Sequence, residues 1–113
     1  PTGKAKITPA YNLPAQYVIH TVGPIVAGTL TKTHCRQLAD CYRSCLELAS
    51  VYGLKSIAFC CISTGEFHFP NELAAEIAIQ TVGELQRQTP DKIKVIFNVF
   101  KNRDYEIYKR LLR

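Results

Sequence analysis

Apolar and polar positions follow two rhythms along this chain, and the rhythm changes at turn residues. Ala5 to Ala10 reads as a short strand, followed by the turn Tyr11-Asn12-Leu13-Pro14. Tyr17 to Val22, "YVIHTV", is β-branched and aromatic-rich, and Gly23-Pro24 stops it. A basic, Thr-rich loop runs to about Thr33. From Gln37 to Tyr52 the spacing changes to threes and fours at Leu38, Cys41, Tyr42, Cys45, Leu48, Ala49 and Tyr52, which predicts an amphipathic helix with Gly53 as its C-cap.

Ser56 to Ile62, "SIAFCCI", is nearly all apolar, as a strand buried on both faces requires. Pro70 suits the first turn of a helix whose apolar stripe is Leu73, Ala74, Ile77, Ala78, Val82 and Leu85. Lys94 to Phe100, "KVIFNVF", predicts another buried strand. Asn102 is placed to N-cap a last helix carrying Tyr105, Ile107, Tyr108, Leu111 and Leu112. Strands alternating with helices imply βαβ units, and so a parallel sheet covered by helices. The expected class is α/β, in one domain, without repeats, low-complexity tracts or linkers.

Composition adds three constraints. The 113 residues are 47% hydrophobic and 20% charged, enough to build a core and unlike a disordered chain. The formal net charge of +5 suits an anionic partner, although a solvated basic surface explains it equally well. Lys and Arg are scattered without an aromatic-basic platform, which argues against nucleic acid as the partner. Five cysteines, none in Cys-x-x-Cys spacing, fit reduced thiols and a cytoplasmic protein better than a disulfide framework. Neither a signal peptide nor an apolar run of membrane-spanning length is visible, so a membrane partner is not expected. The chain contains no methionine, and the expectation is a segment of something longer.

Chemistry in a parallel sheet gathers beyond the carboxyl ends of the strands, where loops meet helix N-termini. Ser63-Thr64-Gly65 lies at that place. Gly65 would let backbone approach a ligand and take a positive φ, and successive amides ahead of the Pro70 helix would cradle a diphosphate. Phe67 would then lie over a sugar or base. The competing reading is a tight strand-to-helix connection that binds nothing, since neither a Walker lysine nor Gly-x-Gly-x-x-Gly is present. After the last strand, Phe100 is placed to stack on adenine, or else caps the core together with Tyr105. Of the histidines, His20 reads as a core residue within a strand, His34 as exposed, and His68 as a neighbour of the phosphate turn. Cys41 and Cys45 share a helix face, but no second pair at metal spacing joins them, so no metal ligand is assigned. No Ser/His/Asp or Cys/His constellation can be assembled, so no catalytic residue is assigned either.

The segments "GKAKITPAYNLPAQYVIHTVGPIV", "CYRSCLELA", "SIAFCCISTGEFHFPNELAAEIAIQTV" and "VIFNVFKNRDYEIYKRLL" together resemble the later part of a macrodomain. The resemblance is strongest to the microbial zinc-dependent macrodomains that act as protein-ADP-ribose hydrolases, often encoded beside a sirtuin-type ADP-ribosyltransferase. It implies a three-layer α-β-α fold with a mixed, mostly parallel sheet, of which residues 1–113 form a partial domain incomplete at its N-terminal side. It makes Ser63, Thr64, Gly65, Glu66 and Phe67 the diphosphate loop and Phe100 the adenine-stacking aromatic. The implied ligand is ADP-ribose, free or on a modified protein. The implied reaction is its hydrolytic removal, and the alternative is a non-catalytic ADP-ribose reader. Zinc is expected for the intact family protein, but not bound to this segment, because the family's metal segment has no equivalent here. Little hydrolase activity is therefore expected from this chain alone. One missing strand belongs at the sheet centre, between those matching "YVIHTV" and "SIAFCCI". Those two strands would then close up, recruit another chain, or keep their places around a damaged cleft, and an exposed edge would favour a homodimer.

Overall fold

The computed structural model describes residues 1–10, 15–65, 67–89, 93–99 and 101–112. Seven elements follow in order: β1 (Ala5–Pro9), β2 (Tyr17–Thr21), α1 (Lys32–Val51), β3 (Ser56–Cys60), α2 (Asn71–Gln88), β4 (Lys94–Asn98) and α3 (Asn102–Leu111). The turn predicted at Tyr11 to Pro14 lies outside the described residues, as do Glu66 and Phe100.

The first helix shows how local signals set its limits. It begins at Lys32, five residues before the periodic stretch, because Thr31 and His34 close a capping box. The Thr31 hydroxyl accepts from the His34 N–H at 3.2 Å, and the Thr31 N–H donates to His34 Nδ1 at 3.0 Å. Lys32, Thr33 and Arg36 are exposed in this first turn, so no apolar pattern announces it. His34 is accordingly a half-buried capping residue rather than an exposed one. At the other end, Gly53 sits at φ 66°. Its N–H bonds the Ser50 carbonyl and that of Leu54 the Ala49 carbonyl, which satisfies two orphan carbonyls. The buried stripe is Leu38, Cys41, Tyr42, Cys45, Leu46 and Ala49. Tyr52 is exposed instead, with its ring edge-on to Tyr17 at 5.3 Å.

The strands form two separate pairs. β1 and β2 are antiparallel, with Ile7 opposite Ile19, and β3 and β4 are parallel, with Phe59 beside Phe97. His20 is not in the core; it is exposed, and its Nε2 lies 3.1 Å from Thr8 Oγ1 across the first pair.

The β3–β4 pair differs from the expectation of strands buried on both faces. Ile57, Phe59, Val95 and Phe97 turn toward the helices, and Phe59 meets Tyr42 while Phe97 meets Tyr108. On the opposite face Ser56, Ala58, Cys60, Lys94, Ile96 and Asn98 are all exposed. Side chains alternate along a strand, and no described element covers that second face. Both strands are also shorter at their ends than predicted, stopping at Cys60 and Asn98.

The helices lie against one another in chain order, α1 on α2 and α2 on α3. Tyr42, Phe69, Leu38 and Cys41 are the largest fully buried side chains, and they centre the core between α1 and the start of α2. At the start of α2, Pro70 is the N-cap, and its carbonyl accepts the first helical bond from Ala74. Asn102 is the first residue of α3 rather than its cap; Lys101 holds the cap position without a side-chain bond.

Candidate functional site

The chain leaves β3 at Cys60 and enters α2 at Asn71, and the connection between them is held at both ends. Phe59 is 6% and Phe69 1% exposed, so two buried aromatics bracket the turn that carries Ser63, Thr64 and Gly65. Inside the bracket, the Phe69 N–H donates to the Ser63 carbonyl at 2.8 Å and the His68 N–H to the Gly65 carbonyl at 3.1 Å. The Phe67 carbonyl accepts from the Val26 N–H at 2.8 Å, tying the turn to the loop after β2. A turn with its ends packed and its carbonyls engaged is preorganised, which lowers the ordering cost of binding.

Two backbone positions take left-handed geometry: Ser63 at φ 67° and His68 at φ 62°. The positive φ expected at Gly65 is therefore found at these neighbours instead. Non-glycine residues reach this region at a cost of order 1–3 kcal/mol, and they persist there when surrounding contacts over-determine them. Here those contacts are the three hydrogen bonds just given and the packing under Ser63. A side-chain carbon on Gly65 would meet nothing within 4 Å, so open space lies beside the turn at this residue. Among the described residues, the amides of Thr64 and Gly65 have no protein acceptor and remain available as donors.

Gly23 lies directly beneath. A methyl group there would fall 2.0 Å from Ser63 Oγ and 2.6 Å from Ile62 Cγ2, so the turn rests on bare backbone. The Ser63 hydroxyl is enclosed and, among the described residues, has no hydrogen-bond partner. Sequence reasoning treated Gly23 only as the stop of β2; what makes it part of the site is a tertiary approach from residues forty positions away.

A cleft of about 1310 Å³ opens beside the turn. Ser63, Gly65 and Phe67 line one end, and it continues between β2 with Val22 and Gly23 after it and β3 with Leu54 and Lys55 before it. Consecutive residues of both strands border it, so each strand offers backbone as well as side chains. β2 and β3 have thus neither closed up nor paired; they keep their places around an open slot. Phe67 is half-buried at the mouth, and Thr64 is not part of the cleft wall. The structure therefore brings Ser63, Gly65 and Phe67 together on one cleft, while Glu66 and Phe100 fall outside the described residues.

Behind the turn lies a cluster of weak acids held neutral. Burial pushes the Cys61 thiol up to about 11, with the Asp104 carboxylate adding to the shift. Burial likewise raises the Tyr108 hydroxyl to about 12 and carries Tyr42 well above its ordinary value. None of these groups is activated as a nucleophile or a base at neutral pH, because desolvation favours their protonated forms. Zinc finds no donor set either: among the described residues, no three of His, Cys, Asp and Glu come together. The residues present do not fit the metal, and no chemical step is derived from it. What the arrangement offers is anion recognition by backbone amides at a strand-to-helix turn.

Comparison with known proteins agrees with that geometry. A family model for the Macro domain matches residues 1–78. A protein-ADP-ribose hydrolase of Treponema medium is 55% identical over 112 residues, which span 99% of this chain and 43% of that protein. The ADP-ribose glycohydrolase MACROD2 of Xenopus laevis is 54% identical over 112 residues, spanning 98% of this chain and 27% of its own length. An Oceanobacillus iheyensis macrodomain solved with ADP superposes at a TM-score of 0.91 and 41% identity, covering 99% of this chain and 58% of the other. A Trypanosoma brucei macrodomain in complex with ADP-ribose gives 0.90 and 35%, covering 100% and 47%. The chain therefore spans less than half of the two hydrolases and about half of the solved domains. Its α/β fold, its strand-to-helix turn and its sequence agree with one another: this chain belongs to the macrodomain family.

Proposed function

We propose that this chain supplies the diphosphate-binding side of an ADP-ribose cleft, and that in a protein of its relatives' length the cleft serves hydrolytic release of ADP-ribose from modified proteins. One observation carries the reading most directly. The turn leaves a parallel strand ahead of a helix N-terminus, Ser63, Gly65 and Phe67 line an open cleft, and among the described residues the amides of Thr64 and Gly65 have no protein acceptor. Relatives named as protein-ADP-ribose hydrolases, and solved macrodomains carrying ADP or ADP-ribose, support that assignment. Ser63, Thr64, Gly65, Glu66 and Phe67 hold the diphosphate in this reading, Phe67 covers the distal part of the ligand, and Phe100 stacks on adenine.

These residues bind and orient; none is assigned the bond-breaking step. Burial pushes Tyr42, Cys61 and Tyr108 toward their neutral forms, which favours a second reading for the chain by itself, a non-catalytic ADP-ribose reader. Zinc belongs to the first reading only, as an expectation for the intact protein. All five cysteines are unpaired, which supports a reducing, cytoplasmic setting.

Isothermal calorimetry with ADP-ribose, run on the chain and on Gly65→Glu, tests the proposal. A side chain at position 65 enters open space, so the variant should fold, yet it places a carboxylate where the diphosphate would lie. We expect micromolar binding by the parent and at least a tenfold loss in the variant, about 1.4 kcal/mol or more. Equal binding by both would overturn the assignment of the turn, and no binding by either would show that the cleft needs more than these residues.

A further inference from the structure

The two loops assigned to the ligand follow β3 and β4, neighbouring parallel strands, and each loop runs straight into a helix: α2 at Asn71 and α3 at Asn102. The first turns of these two helices lie against each other where the loops end. At that junction Asn71 Nδ2 donates to Asp104 Oδ1 at 2.7 Å. Asn71 is the first residue of α2, and Asp104 lies in the first turn of α3. Asp104 is only 7% exposed, the one carboxylate in the described core. A buried carboxylate is costly unless its oxygens are engaged, and at a helix N-terminus it also faces the positive end of the dipole.

We infer that Asn71 and Asp104 are a positioning pair that holds the diphosphate turn in order against the first turn of α3. Three further features agree. The Asp104 carboxylate adds to the burial that raises the Cys61 thiol at the base of the turn, so its charge is felt there as well as at Asn71. Phe69, two residues before Asn71, is fully buried and bonds back to Ser63, so a shift of Asn71 is transmitted into the turn. Arg110 and Glu72 bridge the same two helices but are exposed, a weaker tie that leaves Asn71–Asp104 as the enclosed one. The pair touches no reacting atom; it acts through the loops. Its effect on ligand affinity rests on the ADP-ribose reading, whereas its effect on the turn does not.

The test uses Asn71→Ala, Asp104→Ala, the double variant, and Asp104→Asn, whose amide oxygen can still accept from Asn71. Amide exchange is followed at Phe69 and Val26, which report the turn, and at buried α1 residues, which report the core. We expect each alanine variant to speed exchange at Phe69 and Val26 at least tenfold more than in α1, the double variant to be no worse than the singles, and Asp104→Asn to restore protection. ADP-ribose titration should show a matching tenfold weakening that Asp104→Asn rescues. Exchange at the turn that changes no more than exchange in α1 overturns the inference, since the pair would then serve stability alone. Unprotected turn amides in a protein whose parent form does not bind ADP-ribose would leave the pair standing and remove the ligand reading instead.

Discussion

Gly23 and Ser63 make one unit, although neither position looks special alone. The turn sits so low over β2's end that a single methyl on Gly23 collides with both Ser63 and Ile62. Gly23→Ala should therefore lift the turn as well as strain the core. Overpacking of this kind costs about 1–3 kcal/mol, and a urea melt would read it as a lowered midpoint with an unchanged slope. The same variant should lose protection at the Phe69 amide. A midpoint within error of the parent would mean that the turn can relax away from β2, contrary to its bonds to Val26 and Phe69.

The buried thiols carry a second prediction at this scale. Burial pushes Cys45 up to about 12 and Cys61 up to about 11, from an ordinary value of 9.0. The folded state thus favours the neutral thiol more than the unfolded state does. That contribution to stability is complete below about pH 9 and is lost as the pH rises through 9 toward 11 and 12. Denaturation midpoints should stay level up to about pH 9 and then fall, with a shallower fall in Cys45→Ala. A midpoint that does not fall between pH 9 and 11 would contradict the burial of these groups.

At the scale of elements, α1 owes its first turn to a cap rather than to its apolar stripe. Removing the hydroxyl with Thr31→Ala leaves the His34 amide without its acceptor and should cost about 1 kcal/mol, measurable by thermal or chemical unfolding. His34→Ala tests the reciprocal bond and should cost less than removal of the whole box. The helix faces were legible from spacing: Leu38, Cys41, Tyr42, Cys45 and Ala49 are buried where threes and fours placed them. Exposure in β3 and β4 was not. After Ser56, "SIAFCCI" is apolar to its end, and period-two alternation cannot be read along such a run. Only the placement of all three helices against Ile57, Phe59, Val95 and Phe97 decides which half of each strand is inside.

Across the whole molecule, the open slot between β2 and β3 dominates. Each strand is paired on one side only among the described residues, and both border the cleft. Unpaired strand edges template further pairing, so this chain should self-associate through them. Sedimentation velocity over a ~100-fold range of concentration should show a shift from monomer toward dimer. A single monomer boundary throughout would show that the edges are protected.

The order of strands and helices, the amphipathic faces and the place of the turn at the end of β3 could all be read from local pattern, because each depends on residues close together in the chain. Tertiary structure alone decided the rest. It set Gly23 under Ser63, moved the left-handed geometry from Gly65 to Ser63 and His68, joined Asn71 to Asp104 and left β2 apart from β3. Each of these is a contact, or a missing contact, between segments far apart in sequence, and periodicity carries no information about which distant backbone will lie alongside.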